Sequence, residues 1–247
     1  MKAQGEAMVK AFSFLDALKS ARDERHSKDH PFIDKWEQGE LSKRQSAVYV
    51  VQHYHFVTDY LNWLAYIWAV CPVKEVKDSI LENLKEEEDP EDRHLEMLVD
   101  YAAACGLSRD EVTNAKVLPW TQALKDWGWR FVYQSPWQVA CAGLMIGLES
   151  QPPQIYTRVI PSLHNNYGWN PGDREIRFFR GHVAADEIHS ARGFQMTEKY
   201  CDTPELQGKA IEAVRTAAQK RWNHMNGIYW YAVEGKDDDT PERSAAK

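Results

Sequence analysis

Apolar residues recur at intervals of three and four along almost the whole chain, and no Asn-Gly or Asp-Gly turn stands between two alternating runs. The first pattern belongs to helices with one buried face; the missing turns remove the strongest short-range sign of a β-hairpin. An all-α fold is therefore expected. Caps and breakers then divide the chain. A helix over 11–25 carries Phe12, Leu15 and Leu18, and Pro31 halts continuation in the loop that follows. Ser42 caps a long helix that ends before Cys71-Pro72, and another helix spans 73–88. Asp89-Pro90 restarts a helix closed by Gly106, and short helices open at Ser108 and Trp120. Ser135-Pro136 starts a strongly apolar helix through Glu149 and on towards Leu163, Asp173 caps one to Tyr200, and Thr203-Pro204 starts the last, to Val233. Residues 1–233 read as one helical domain and 234–247 as a polar, disordered tail.

Composition narrows the function. A net charge of −7 argues against a nucleic-acid partner, which selects for a basic field. The longest apolar run, 139–148, is too short to cross a bilayer, and no signal-peptide pattern opens the chain. Cys71, Cys105, Cys141 and Cys201 are far apart and form no Cys-x-x-Cys pair, so reduced thiols in the cytoplasm are expected, without a membrane.

Three segments carry candidate chemistry. In His182-Val-Ala-Ala-Asp186-Glu-Ile-His189 the helical pitch puts two imidazoles and a carboxylate on one face, half of a site for a divalent metal. Taken alone, the same stripe is equally a solvated surface. Glu149 closes the apolar run that begins at Trp137, where a charged carboxylate is costly unless paired or metal-bound; otherwise the helix simply surfaces there, with Ser150 and Gln151 outside. The acidic stretch from Asn83 to His94 offers two pairings, Glu87 with His94 on a continuous helix or the tighter Glu91-x-x-His94 of ferritin-like bundles. Acidic runs are usually solvated, and only the histidine among them suggests more. Together these segments supply three carboxylates and three imidazoles, a donor set that suits iron or manganese better than zinc.

The spacing Glu-x6-His, a lone Glu, then His-x3-Asp-x2-His resembles the haem-oxygenase-like diiron oxidases, in a superfamily with thiaminase II and pyrroloquinoline-quinone synthase. The resemblance runs from His30 to His189 and includes His30-Pro-Phe, Asn83-Leu-Lys-Glu-Glu, Glu149-Ser-Gln and Tyr167-Gly-Trp. It implies a seven-helix bundle and two iron ions, or a manganese–iron mixture, held by Glu87, His94, Glu149, His182, Asp186 and His189. It selects Glu87 over Glu91 and implies that the helix bearing the first two ligands orders on metal binding, for which Pro90 gives a local reason. O2 would be the cosubstrate, with a small amino-acid- or carboxylate-like substrate; a homodimer and an external electron donor also fit the family.

Departures matter. In the chlamydial p-aminobenzoate-forming branch, similar in motif wording, a tyrosine of the protein itself is the donor and a lysine is essential; they align with Ile33 and Val159 here, which argues against self-sacrificing chemistry. The thiaminase branch uses a cysteine nucleophile without metal, for which only Cys141 stands on an inner helix, and the quinone-synthase branch lacks the full metal set. Either remains the alternative. For substrate contacts, His53, Tyr60, Trp63 and Tyr156 fall near the family's pocket, although aromatic residues at helical spacing are more often core. Arg158, Arg177 and Arg180 are candidates for a carboxylate, each more commonly a surface residue.

Overall fold

The computed structural model describes residues 13–236, except for the side chains of 184–187 within one helix. Regular structure among them is entirely helical. The first half holds α1 (Phe14–Asp23), α2 (Pro31–Glu37), the long α3 (Lys43–Val70), α4 (Lys74–Glu87) and α5 (His94–Ala104). After α6 (Arg109–Thr113) come α7 (Pro119–Gln134) and α8 (Trp137–Cys141), which runs into a π-helical segment (Ala142–Glu149). α9 (Pro152–Asn165), α10 (Arg177–Tyr200) and α11 (Pro204–Ala232) complete the bundle. Among the described residues eleven α-helical segments thus replace the seven expected, three of them (α2, α6 and α8) separate pieces of one or two turns. Positions 11–12 and 237–247, part of the expected first helix and of the expected tail, lie outside the described residues. No described helix is long and apolar enough to cross a membrane.

Local chemistry explains the boundaries. Ser42 accepts from the Gln45 N–H while the Gln45 side chain accepts from the Ser42 N–H, a reciprocal cap for α3. Pro31 begins a helix where the sequence suggests an end: it occupies the first position of α2, where its missing N–H costs nothing, and His30 Nδ1 accepts from Phe32 N–H. The apolar run opened at Ser135 does not continue to 163. It stops at Ser150 and restarts at Pro152. Ser150 Oγ donates to the Ile146 carbonyl at 2.6 Å and Gln151 Nε2 to the Gly147 carbonyl at 2.5 Å, so both side chains are turned inward to satisfy the end of the π-helical segment. They are buried rather than outside.

The apolar interior forms two large clusters. One gathers Trp36, Tyr49, Tyr101, Tyr156, Phe178 and Phe179 between α2, α3, α5, α9 and α10. The other gathers Phe56, Tyr60, Trp63, Met145 and Leu148 from α3 and the π-helical segment. Every residue from Ala142 to Glu149 is buried, and α11 lies directly against this segment. The close approach depends on Gly147: a Cβ there would stand 2.5 Å from the Ala217 Cβ. Gly147→Ala should therefore cost about 1–3 kcal/mol through overpacking, read as a lowered Tm. Ala217→Gly in the same chain should recover part of the loss; an unchanged Tm in the single variant would contradict the packing argument.

Candidate metal centre

Four elements bring the candidate side chains to the boundary between these clusters. α4 ends on Glu87 and α5 begins on His94, with residues 88–93 forming a turn around Pro90. The continuous helix that would have put these two on one face is not present; the turn brings them together instead, with His94 Nδ1 2.9 Å from Glu87 Oε2. Glu91 is exposed and its N–H is taken by the Asp89 side chain, which leaves Glu87 as the acid at the site. His182 approaches from α10, its Nε2 3.8 Å from Glu87 Oε1 and its ring 4.4 Å from that of His94. One ligand-type atom from each of Glu87, His94 and His182 falls within 4.8 Å of the others.

Glu149, at the end of the π-helical segment, is buried rather than surfacing. Tyr60 OH donates to its Oε2 at 2.5 Å and Asn83 Nδ2 to its Oε1 at 2.6 Å. His189 stands beside it, Nδ1 to Oε1 3.1 Å, and its Nε2 meets Glu86 Oε2 at 2.8 Å. The Asp186 side chain lies outside the described residues, so five of the six candidates can be placed, and all five converge.

The hydrogen bonding among these groups is incomplete in an informative way. Glu87 Oε2, His94 Nδ1 and His189 Nδ1 are buried without a hydrogen-bond partner, although each has an opposing acid or imidazole atom about a hydrogen-bond length away. His182 Nδ1 is 2.8 Å from the Phe178 carbonyl, which can only accept, so Nδ1 carries a proton and Nε2 is the ring atom turned towards Glu87. A carboxylate and an imidazole facing each other in a buried space call for a shared proton or a metal ion between them. The donor set of oxygen and nitrogen fits iron or manganese.

Electrostatics agree. Burial alone would raise the Glu87 carboxyl, but His182 and His94 outweigh it and hold that group well below the usual carboxylate range. Burial pulls His189 down; Glu149 and then Glu86 overcome it and leave the imidazole raised. A carboxylate kept ionised in the interior is what a metal needs.

Glu87, Glu149 and His182 open onto one cavity, completed by Tyr60, His53 and Arg221 and walled by Phe56, Val57, Leu148 and Pro152. Its empty space, open mouth included, is about 400 Å³. Of the aromatic candidates, His53 and Tyr60 line this space. Trp63 instead packs over Gly128, and Tyr156 meets Phe178 and Phe179 edge-on and shares a hydrogen bond with Tyr49. The arginine candidates are engaged elsewhere. Arg158 pairs with Asp34 and Glu37, Arg177 with Asp92 and Asp100, and the exposed Arg180 bonds backbone carbonyls. Arg221 was absent from the sequence reading because its neighbours on the last helix follow an ordinary mixed polar pattern.

Residues 47–222 match the family described as iron-containing redox enzymes. The chain belongs to this haem-oxygenase-like family. Among relatives, it is 29% identical over 226 residues to a 4-aminobenzoate synthase of Nitrosomonas europaea, covering 88% of this chain and 91% of that one. It is 23% identical over 203 residues to a pyrroloquinoline-quinone synthase of Cronobacter sakazakii, covering 81% and 79%. A domain with a haem-oxygenase-like fold from Shewanella denitrificans superposes with a TM-score of 0.75 at 16% identity, covering 94% of this chain and 98% of that one.

Within this family of iron-containing enzymes, the cation argument has a direct check. Mn(II) should stabilise the metal-free protein by about 2.7 kcal/mol at a concentration a hundred times its Kd, seen as a rise in Tm of several degrees. Asn83→Ala, which removes one of the two donors orienting Glu149, should weaken Mn(II) binding about 10–100-fold. No Tm response to Mn(II) or Fe(II) would argue against a metal at these residues.

Proposed function

We propose that the protein is a non-haem dinuclear iron oxidase or oxygenase that uses O2 to oxidise a small molecule of amino-acid or carboxylate type in a biosynthetic pathway. The observation that carries this reading is the convergence of buried acids and imidazoles, with unsatisfied atoms facing each other, on one cavity. In this reading Glu87, His94 and His182 hold one ion, Glu149 and His189 contribute to the second, and Asp186 joins them from the family pattern. The ions supply the electrons and the O2 affinity that no side chain has; a manganese–iron pair would suit the same ligands.

The chain's own residues do the rest. Tyr60 and Asn83 fix both oxygens of Glu149, and the Phe178 carbonyl fixes the His182 ring. Phe56, Val57, Leu148 and Pro152 keep bulk water from the cavity, which confines reactive oxygen chemistry to the bound molecule. The electrons beyond those of the substrate would come from an external donor. That the relatives are named synthases supports a biosynthetic role. Ile33 and Val159 are fully buried apolar residues at the positions where the p-aminobenzoate-forming branch spends its own side chains, so the molecule oxidised here is a diffusible one. The proposed setting is the cytoplasm, in keeping with four buried cysteines that form no disulfide.

Nothing favours a thiaminase-type cysteine. Cys141 is buried, its thiol is pushed far up by that burial, and it does not line the cavity.

Anaerobic loading with Fe(II) should give about two irons per chain, and admission of O2 should produce a visible absorbance band together with O2 uptake. His182→Ala should lose both. Protein that takes up no iron would be a metal-independent enzyme instead, and protein that binds iron but consumes no O2 with any substrate tried would be a binding protein on the same bundle.

A further inference from the structure

Arg221 is 1% exposed, and its guanidinium stays charged under all conditions in which the protein folds. No carboxylate pairs with it among the described residues. Its Nε–H has no hydrogen-bond partner, Nη2 reaches only the Tyr49 hydroxyl at 3.4 Å, and the group lies 5.7 Å from the centroid of the Phe56 ring. The three arginines singled out from the sequence each meet an acid or a backbone carbonyl, although Arg177 Nε also lacks a hydrogen-bond partner; Arg221 differs in having no acid beside it. An unpaired charge this deep is strongly unfavourable unless something completes it.

Its surroundings repeat the deficit. His53 Nδ1 and His224 Nε2 are buried and also lack partners. The His53 ring stacks on Tyr49 at 5.2 Å and lines the same cavity as Arg221, while His224 stands 6.0 Å from Phe56 and bonds Thr121 through Nδ1. Burial first, then the Arg221 charge, keeps both imidazoles neutral, so they add N–H groups rather than repulsion. The cavity therefore receives unsatisfied donors from α3 and α11, and acids from α4 and the π-helical segment.

We propose that Arg221, assisted by His53, is the carboxylate-binding group of this cavity, and that the molecule bound there is a small carboxylic acid whose remainder occupies the space shared with Glu87, Glu149 and His182. A guanidinium meets a carboxylate with two parallel charge-assisted hydrogen bonds, which is the geometry that would use the free Nε–H. The assignment rests on reading the cavity as the active site of the proposed oxidase, and it adds the residue that binds the substrate's carboxylate.

Benzoate and benzamide have the same shape and differ in charge, so they test it. Calorimetric titration of the full-length protein, metal-free and Mn(II)-loaded, should show benzoate binding about tenfold or more tighter than benzamide in both states. Arg221→Gln should abolish the preference, and Arg221→Lys, which keeps the charge but not the fork, should retain part of it. If Arg221→Gln fails to fold, the wild-type comparison and Arg221→Lys still decide. Equal affinity for the two probes, no benzoate binding at millimolar concentration, or a preference untouched in Arg221→Lys and Arg221→Gln alike would overturn the proposal and make Arg221 a structural charge balanced at a distance by Glu87. Metal content of the same samples separates the two levels of failure. Protein that binds Mn(II) without preferring benzoate loses the Arg221 assignment alone; protein that prefers benzoate through Arg221 but takes up no metal loses the oxidase.

Discussion

Glu87 Oε2 and His94 Nδ1 face each other at 2.9 Å in the interior of a helical bundle, both without a hydrogen-bond partner, and His182 turns its Nε2 towards the same carboxylate. Left to themselves these groups would repel or take up protons; an apolar core of this size would be more stable with leucine in their place. The helices around them are arranged to hold the unfavourable grouping in position. α10 delivers two imidazoles from one face, the π-helical segment delivers Glu149, and α3 and α4 supply the tyrosine and asparagine that stop Glu149 from turning away. The apolar clusters on either side provide the rigidity that lets five polar groups remain converged.

The π-helical segment shows how packing and site depend on one another. Its wider turn brings the chain's most apolar stretch against α11, which requires small residues at the contact, and its last residue is the buried acid. Ser150 and Gln151 then close the segment from inside: the Ser27 N–H donates to Gln151 Oε1 and Arg22 Nη1 to Ser150 Oγ. A local distortion is thereby tied to the first helix and the first loop, far from it in sequence.

Much of this was legible in the residues. α3 runs from its Ser42 cap to Val70 as the cap and Cys71-Pro72 indicate, and the metal-type residues on α10 meet those of α4 and α5 as their spacing suggests. The illegible parts have physical causes. A proline marks a helix start as readily as a stop, so α2 was read as loop. A run that is apolar on every face carries no periodicity, so neither its π-helical turn nor its break at Ser150 could be seen. The Glu87–His94 contact followed from an assumed continuous helix, yet it is made across a turn. Arg221 was invisible because burial of a single arginine is decided by the helices opposite, not by its own neighbours.

That turn has a consequence of its own. Because residues 88–93 are not helical, separating Glu87 from His94 breaks none of the regular backbone bonding of α4 or α5. Rotation about a few dihedrals in a solvent-facing stretch is enough to widen or narrow the gap between the two donors. The separation of the two donors can thus adjust while the hydrophobic interior stays shut.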